Sequence, residues 1–225
     1  MSDRTVLITG GTGALGRAVV AAFAASEWRV IVLDMRTAEL QGAEVVQADL
    51  TDSGDVRRAV AAASAEPGAP LRAVANLVGG FAAGQPVAET AVDVFEAQFA
   101  LNLRPTYLVT QAALPALVDT GGGAIVCVSS RSALHPFAGA AGYCASKAAV
   151  IAFAQVVARE HDGDGVRCNA VLPKMIDTPA NRAAMPPEQH GALTPPGEIA
   201  TVIRFLCSDE SAPTTGAAIP VYGGP

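Results

Sequence analysis

Positive charge is scarce in this chain: 15 lysines and arginines stand against 21 aspartates and glutamates, giving a net charge of −6 and a pI near 5.0. Without a basic surplus there is no surface to track the phosphates of a nucleic acid, so no polynucleotide partner is expected. Uninterrupted apolar runs are missing too. Stretches such as 18–25 and 148–154 stop short of the ~20 residues that a membrane-spanning helix needs. Strand character begins at Arg4-Thr5-Val6-Leu7-Ile8, leaving no room for a signal peptide, and a soluble, cytoplasmic protein without a membrane partner is expected. Cys127, Cys144, Cys168 and Cys207 form no CxxC pair. They indicate neither a disulfide nor a metal site, and read as small hydrophobes. Repeats, low-complexity tracts and an interdomain linker are also absent, and 225 residues suit one domain over 1–225.

Strand-length apolar runs recur at 6–9, 30–33, 45–48, 73–77, 124–129, 167–172 and 217–221, and read as buried parallel strands. Helix-period segments lie between them at 14–25, 52–63, 91–118, 142–161 and 196–208. This alternation specifies an α/β fold, a doubly wound, mostly parallel seven-stranded sheet with helices on both faces. Glycine punctuates it: Gly121-Gly122-Gly123 stops the long helix, and Asp162-Gly163-Asp164-Gly165 ends the next. From Lys174 to Pro195 regular periodicity lapses among four prolines, which predicts a substrate flap.

The first strand runs into Thr9-Gly10-Gly11-Thr12-Gly13-Ala14-Leu15-Gly16, directly before an apolar helix. Glycines there permit a tight turn and close backbone approach to a pyrophosphate, which the helix N-terminus attracts through free amides and its dipole. Asp34 ends the second strand about twenty residues on, where a carboxylate can accept the hydroxyls of an adenosine ribose and repel a 2′-phosphate. NAD is therefore expected, while Arg36 leaves room for NADP. Asp49, after the third strand, is within reach of an adenine edge or is the N-cap of the following helix. Position alone leaves both readings open.

Tyr143 and Lys147 are four residues apart, and Ser130 lies thirteen positions before the tyrosine. Positions i and i+4 share a helix face, so the lysine can stand beside the phenol and stabilise its phenolate. A phenol titrates near ~10, and service as a base near neutrality needs a shift of roughly 2 to 3 units. A unit charge at ~4 Å contributes about 1 kcal/mol in water but about 4 in a partly dry cleft. The pair predicts a cleft.

These motifs, with Asn102 in Leu101-Asn102-Leu103 and Asn76 in Asn76-Leu77-Val78-Gly79-Gly80, fall in the order and spacing of the short-chain dehydrogenase/reductase family. The resemblance runs from Thr5 to Gly224. It implies a Rossmann fold and an oxidoreductase that moves a hydride between nicotinamide C4 and a secondary alcohol or ketone. Tyr143 would exchange the proton, Ser130 orient the substrate oxygen, Lys147 hold the nicotinamide ribose and lower the tyrosine pKa, and Asn102 hold a relay water. The implied cofactor-binding set is Gly10, Thr12, Gly13, Ala14, Leu15, Gly16, Asp34, Met35, Arg36, Asp49, Leu50, Asn76, Val78, Gly79, Tyr143, Lys147, Pro173, Ile176 and Thr178. Three departures stand out: glycines spaced TGxxGxxG as in extended and atypical members, Leu77-Val78 within the Asn76 motif, and Lys174 after Pro173.

Phe81, Arg131, Ser132, Met175 and Met185 are candidates for the substrate pocket, with Arg131 able to pair with an anionic substrate. His135 and His190 are not offered as bases, nor Cys144 as a redox sensor. The glycine turn also resembles that of dihydropteridine reductases, and a dinucleotide-sensing regulator is a further alternative. An epimerase or dehydratase of the extended type lacks room for its substrate domain. The apolar helices at 91–118 and 142–161 could bury a second face against copies of themselves, so a homotetramer or homodimer is expected.

Overall fold

A computed structural model describes residues 3–223; Gly224, where the family resemblance ends, lies outside them. The apolar runs form β1 (Thr5–Thr9), β2 (Arg29–Asp34), β3 (Ala43–Gln47), β4 (Leu71–Asn76), β5 (Gly123–Val128), β6 (Val166–Pro173) and β7 (Ala218–Val221). All six pairings are parallel, in the order β3-β2-β1-β4-β5-β6-β7. Helices α1 (Ala14–Ala24), α2 (Ser53–Ser64), α3 (Val92–Asn102), α4 (Arg104–Asp119), α5 (Ala141–Glu160), α6 (Pro179–Ala183) and α7 (Pro196–Cys207) supply the outer layers.

Alternate residues of each strand feed opposite faces. Leu7, Ile31 and Ile125 pack beneath α2, α4 and α5, whereas Val6, Ile8, Val30 and Val126 pack beneath α1 and α7. The sheet is thus dry on both sides at its centre. Its β3 edge is not: only intermediate and exposed residues occur there, so the expectation of seven buried strands fails where a strand has one neighbour.

Two further corrections concern helices. The single helix expected over 91–118 is broken at Leu103, giving α3 and α4. The cause is Pro105, which has no N–H to give and whose ring would meet the carbonyl four residues back. Its effect is functional, because Asn102 now sits at a helix end with its side chain turned inward. The flap, expected to be irregular, contains α6 and a 3-10 turn over Pro187–Ala192; a parallel bridge between Ile176 and Thr194 joins its two ends, and Lys174 N donates to the Val221 carbonyl of β7.

Among the described residues α5 alone, at mean hydropathy 1.4, is long and apolar enough by length and composition to cross a bilayer. Half of it, 50%, is buried within the protein, where Val150, Ile151, Ala154 and Val157 join the core. It is a core helix whose apolar window a search for uninterrupted runs did not detect. Chain order reverses between β1 and β4, opening a crevice at the carboxyl ends of the strands, the place where sheets of this topology bind ligands.

Gly122 ends α4 at φ 105°, and an added Cβ would lie 2.3 Å from the Gly165 carbonyl oxygen. Gly122→Ala is expected to cost at least about 1–3 kcal/mol, read as a lower midpoint in urea unfolding; an unchanged midpoint would contradict this packing.

Candidate active site

Tyr143 lies in the first turn of α5 and Lys147 in the second, the face-sharing that their spacing predicts. Lys147 is 5% exposed and its Nζ donates to the Val128 carbonyl at 3.0 Å, at the end of β5. Ser129 Oγ in turn donates to the Lys147 carbonyl at 2.7 Å. Strand end and helix therefore grip each other on either side of the lysine. Burial lowers the Lys147 pKa to about 8.

Asn102 is fully buried at the α3–α4 break. Its Oδ1 accepts from Gly80 N at 2.9 Å and its Nδ2 donates to Ser146 Oγ at 3.1 Å, while Ser146 donates to the Tyr143 carbonyl at 2.9 Å. Gly79 makes this arrangement possible: an added Cβ would fall 2.7 Å from Asn102 Oδ1 and 2.8 Å from Lys147 Nζ. The side chain of Asn102 is thus committed to holding the Gly79-Gly80 loop and α5 in place.

Burial pushes the Tyr143 phenol above its ordinary pKa of 10.0, and a hydrogen bond from the Ser130 hydroxyl pulls it partway back. The expected depression by Lys147 is not found, since the lysine is held on Val128 and is not among the causes acting on the phenol. Ser130 Oγ also accepts from Ser132 N at 3.1 Å, which opens the 3-10 turn Arg131–Ala133.

Along the crevice, α1 begins at Ala14 with no side-chain cap on Gly13, so the first-turn amides of Ala14, Leu15 and Gly16 remain for an anion. Gly10 has φ 70°, and a Cβ on Gly16 would lie 2.2 Å from the Gly10 carbonyl oxygen. Asp34 accepts from Thr12 Oγ1 at 2.7 Å, Thr12 N at 3.2 Å and Arg36 N at 3.1 Å. Although burial opposes it, these donors keep the Asp34 carboxyl below its ordinary pKa. An uncapped helix start beside an ionised carboxylate fits a dinucleotide: amides for the pyrophosphate, Asp34 for a ribose.

Asn76 Nδ2 donates to Thr110 Oγ1 at 3.0 Å, while its buried Oδ1 has no partner. Val78 and Leu77 amides both donate to Thr9 Oγ1, fixing the loop after β4 to the end of β1. Met35 is 64% exposed. Asp49 accepts from Thr51 N and Oγ1, and the N-cap of α2 is Asp52, which accepts from Asp55 N; capping by Asp49 is overturned. Leu50 lies in the core, so its side chain faces no ligand. Pro173 closes β6. Beyond it the Ile176 carbonyl accepts from Asn181 Nδ2, and Thr178 Oγ1 accepts from Asn181 N as the cap of α6. The Thr178 hydroxyl proton stays free to donate.

On the substrate side Phe81 stands edge-on to Tyr143, ring centroids 4.9 Å apart, with Phe137 at 6.3 Å on its other side. Arg131 is exposed and stacks over Tyr222 at 5.7 Å. Met175 is 48% exposed, whereas Met185 is engaged within the flap, its carbonyl bonded to His190. Sequence reasoning assigned no role to Thr9, Ser129, Ser146 or Phe137; the Ser129-Ser130 doublet was the one available signal. Hollows of about 330 and 560 Å³ lie at the opposite, amino-terminal ends of the strands; in the smaller, Arg72 and Arg167 bond backbone carbonyls.

A family model described as short chain dehydrogenase matches residues 4–189. Over its whole length the chain is 32% identical to a 2,5-dichloro-2,5-cyclohexadiene-1,4-diol dehydrogenase of Sphingobium indicum, covering 96% of that protein. It is 31% identical to a 2-(R)-hydroxypropyl-CoM dehydrogenase of Xanthobacter autotrophicus, over 98% of each. A short-chain type dehydrogenase/reductase from Mycobacterium ulcerans superposes with a TM-score of 0.91 at 26% identity, over 100% of this chain and 90% of the other.

The raised phenol pKa implies that Tyr143 keeps its proton through neutral pH in the cofactor-free protein. In ultraviolet difference titrations the tyrosine signal removed by Tyr143→Phe should develop above the ordinary midpoint of 10.0; a signal developing below it would contradict the burial argument.

Proposed function

The chain belongs to the short-chain dehydrogenase/reductase family, and from that premise we propose that Tyr143, Ser130, Lys147 and Asn102 are its working groups and that NAD is its preferred cofactor. Membership makes it an NAD(P)-dependent oxidoreductase of secondary alcohols and ketones. The observation that supports the residue assignment best is the phenol of Tyr143 beside the Ser130 hydroxyl, at the mouth of the crevice that holds buried Lys147.

A phenol with a raised pKa holds a proton to give, which suits protonation of a carbonyl oxygen while Ser130 orients that oxygen. The oxidative direction requires Tyr143 to accept a proton, and a nearby cation favours that state. When bound, the dinucleotide supplies or takes the hydride at nicotinamide C4. Lys147 would hold the nicotinamide ribose, with Gly79 leaving space above its ammonium. Asn102 acts by fixing Gly80 and Ser146, and its expected relay water would take one of its remaining hydrogen-bonding positions.

Recognition of the adenosine ribose falls to Asp34, whose carboxylate disfavours a 2′-phosphate. Phe81 and Phe137 are 63% and 48% exposed beside the reactive phenol, and desolvating them favours a substrate with an apolar or cyclic body. Arg131 lies over the Tyr222 ring and would have to leave it to pair with an anionic substrate. A cytoplasmic location is part of the same proposal. Exposed apolar side chains on α3, α4 and α5, among them Leu101, Tyr107 and Val156, support a homodimer or homotetramer.

Tyr143→Phe should lower turnover of any ketone the protein reduces by about 10² to 10⁴-fold, with NADH binding in fluorescence titration unchanged. Retained turnover would remove the tyrosine from the mechanism.

A further inference from the structure

We propose that Thr12, in the glycine turn, sets dinucleotide choice by holding the Asp34 carboxylate in place, an inference that rests on the reading of the crevice as a dinucleotide site. Asp34 and Thr12 are 7% and 9% exposed. Both Thr12 donors, the hydroxyl at 2.7 Å and the amide at 3.2 Å, reach the same oxygen, Oδ2. The other oxygen, Oδ1, accepts from Arg36 N at 3.1 Å and has the Arg36 Nε at 3.7 Å.

Each carboxylate oxygen has about two acceptor positions. Oδ2 is therefore filled by Thr12, while Oδ1 retains one position. That open position can accept from a hydroxyl of the ribose. It suits the free 2′-hydroxyl of an unphosphorylated ribose. A 2′-phosphate brings no proton to it and meets a negative charge that its two Thr12 bonds prevent from turning aside.

Arg36, its side chain 72% exposed, is the alternative partner. Once the Thr12 hydroxyl is gone, the carboxylate can rotate toward the guanidinium, which weakens ribose recognition and softens rejection of the phosphate. Thr12 touches Asp34 from a different element, the β1–α1 turn, so its effect is transmitted through the carboxylate. It is a positioning residue.

Fluorescence titration of the full chain with NADH and with NADPH tests this, comparing wild type, Thr12→Val, Thr12→Ser and an Asp34→Ala background. Wild type should favour NADH by about tenfold or more, and Thr12→Val should reduce that ratio at least about fivefold, the size expected for losing one ordinary hydrogen bond. Thr12→Ser, which keeps the hydroxyl, should restore it to within about twofold, and Thr12→Val should change nothing further once Asp34 is alanine. Thr12→Ala replaces the valine variant if the latter does not fold. A Thr12→Val ratio equal to wild type, an effect that persists without Asp34, or a wild type indifferent to the phosphate would each overturn the proposal. Wild type that binds neither dinucleotide would instead overturn the reading of the crevice.

Discussion

One buried cation organises this molecule. The Lys147 ammonium is anchored on the Val128 carbonyl beside Gly79, whose missing side chain keeps the space next to it open: a Cβ there would fall 2.8 Å from Nζ and 2.7 Å from Asn102 Oδ1. No carboxylate pairs with it among the described residues. Lowering a lysine from 10.5 to about 8 corresponds to roughly 3 kcal/mol against its charged form. The sign is definite: below about pH 8 folded and unfolded chains both carry the proton and the folded state bears the whole penalty, which fades as pH rises toward the unfolded value. A fold retains such a group for a reason other than stability.

The surrounding structure serves that placement. Ser129 and Val128 bring β5 to α5; the break at Leu103 frees Asn102 to reach Gly80 and Ser146; Ser146 returns to the carbonyl of Tyr143. The phenol is left with the Ser130 hydroxyl on one side and the Phe81 ring edge-on to it. Proton transfer and the apolar surface that would receive substrate meet at one side chain.

Periodicity and punctuation sufficed for the layered architecture, because alternation in Val6, Leu7 and Ile8 and glycines after α4 and α5 are local signals. They could not say which strand would lie at an edge, since exposure of β3 depends on the strand order. Asp49 reads as a candidate cap in sequence; the extended backbone of Asp52, φ −96° and ψ 119°, and its bond from Asp55 N give the cap to Asp52 instead. Tyr143, Lys147 and Ser130 were singled out by spacing, and Asn102 by the family resemblance alone. Their supports were not: Thr9, Ser129 and Ser146 are ordinary small polar residues whose partners lie 68, 18 and 44 positions away. The Tyr143 shift runs opposite to that expected from Lys147 for the same reason, as spacing sets a helix face but not the carbonyl that a lysine will choose.

The claim that this lysine is kept for chemistry at a cost to stability is tested most directly by Lys147→Met, a change of similar length that removes the charge. Measured together at pH 7, the melting temperature should be unchanged or higher while reduction of a ketone substrate falls by orders of magnitude. A variant that melts far lower, or one that turns over like the wild type, would contradict it.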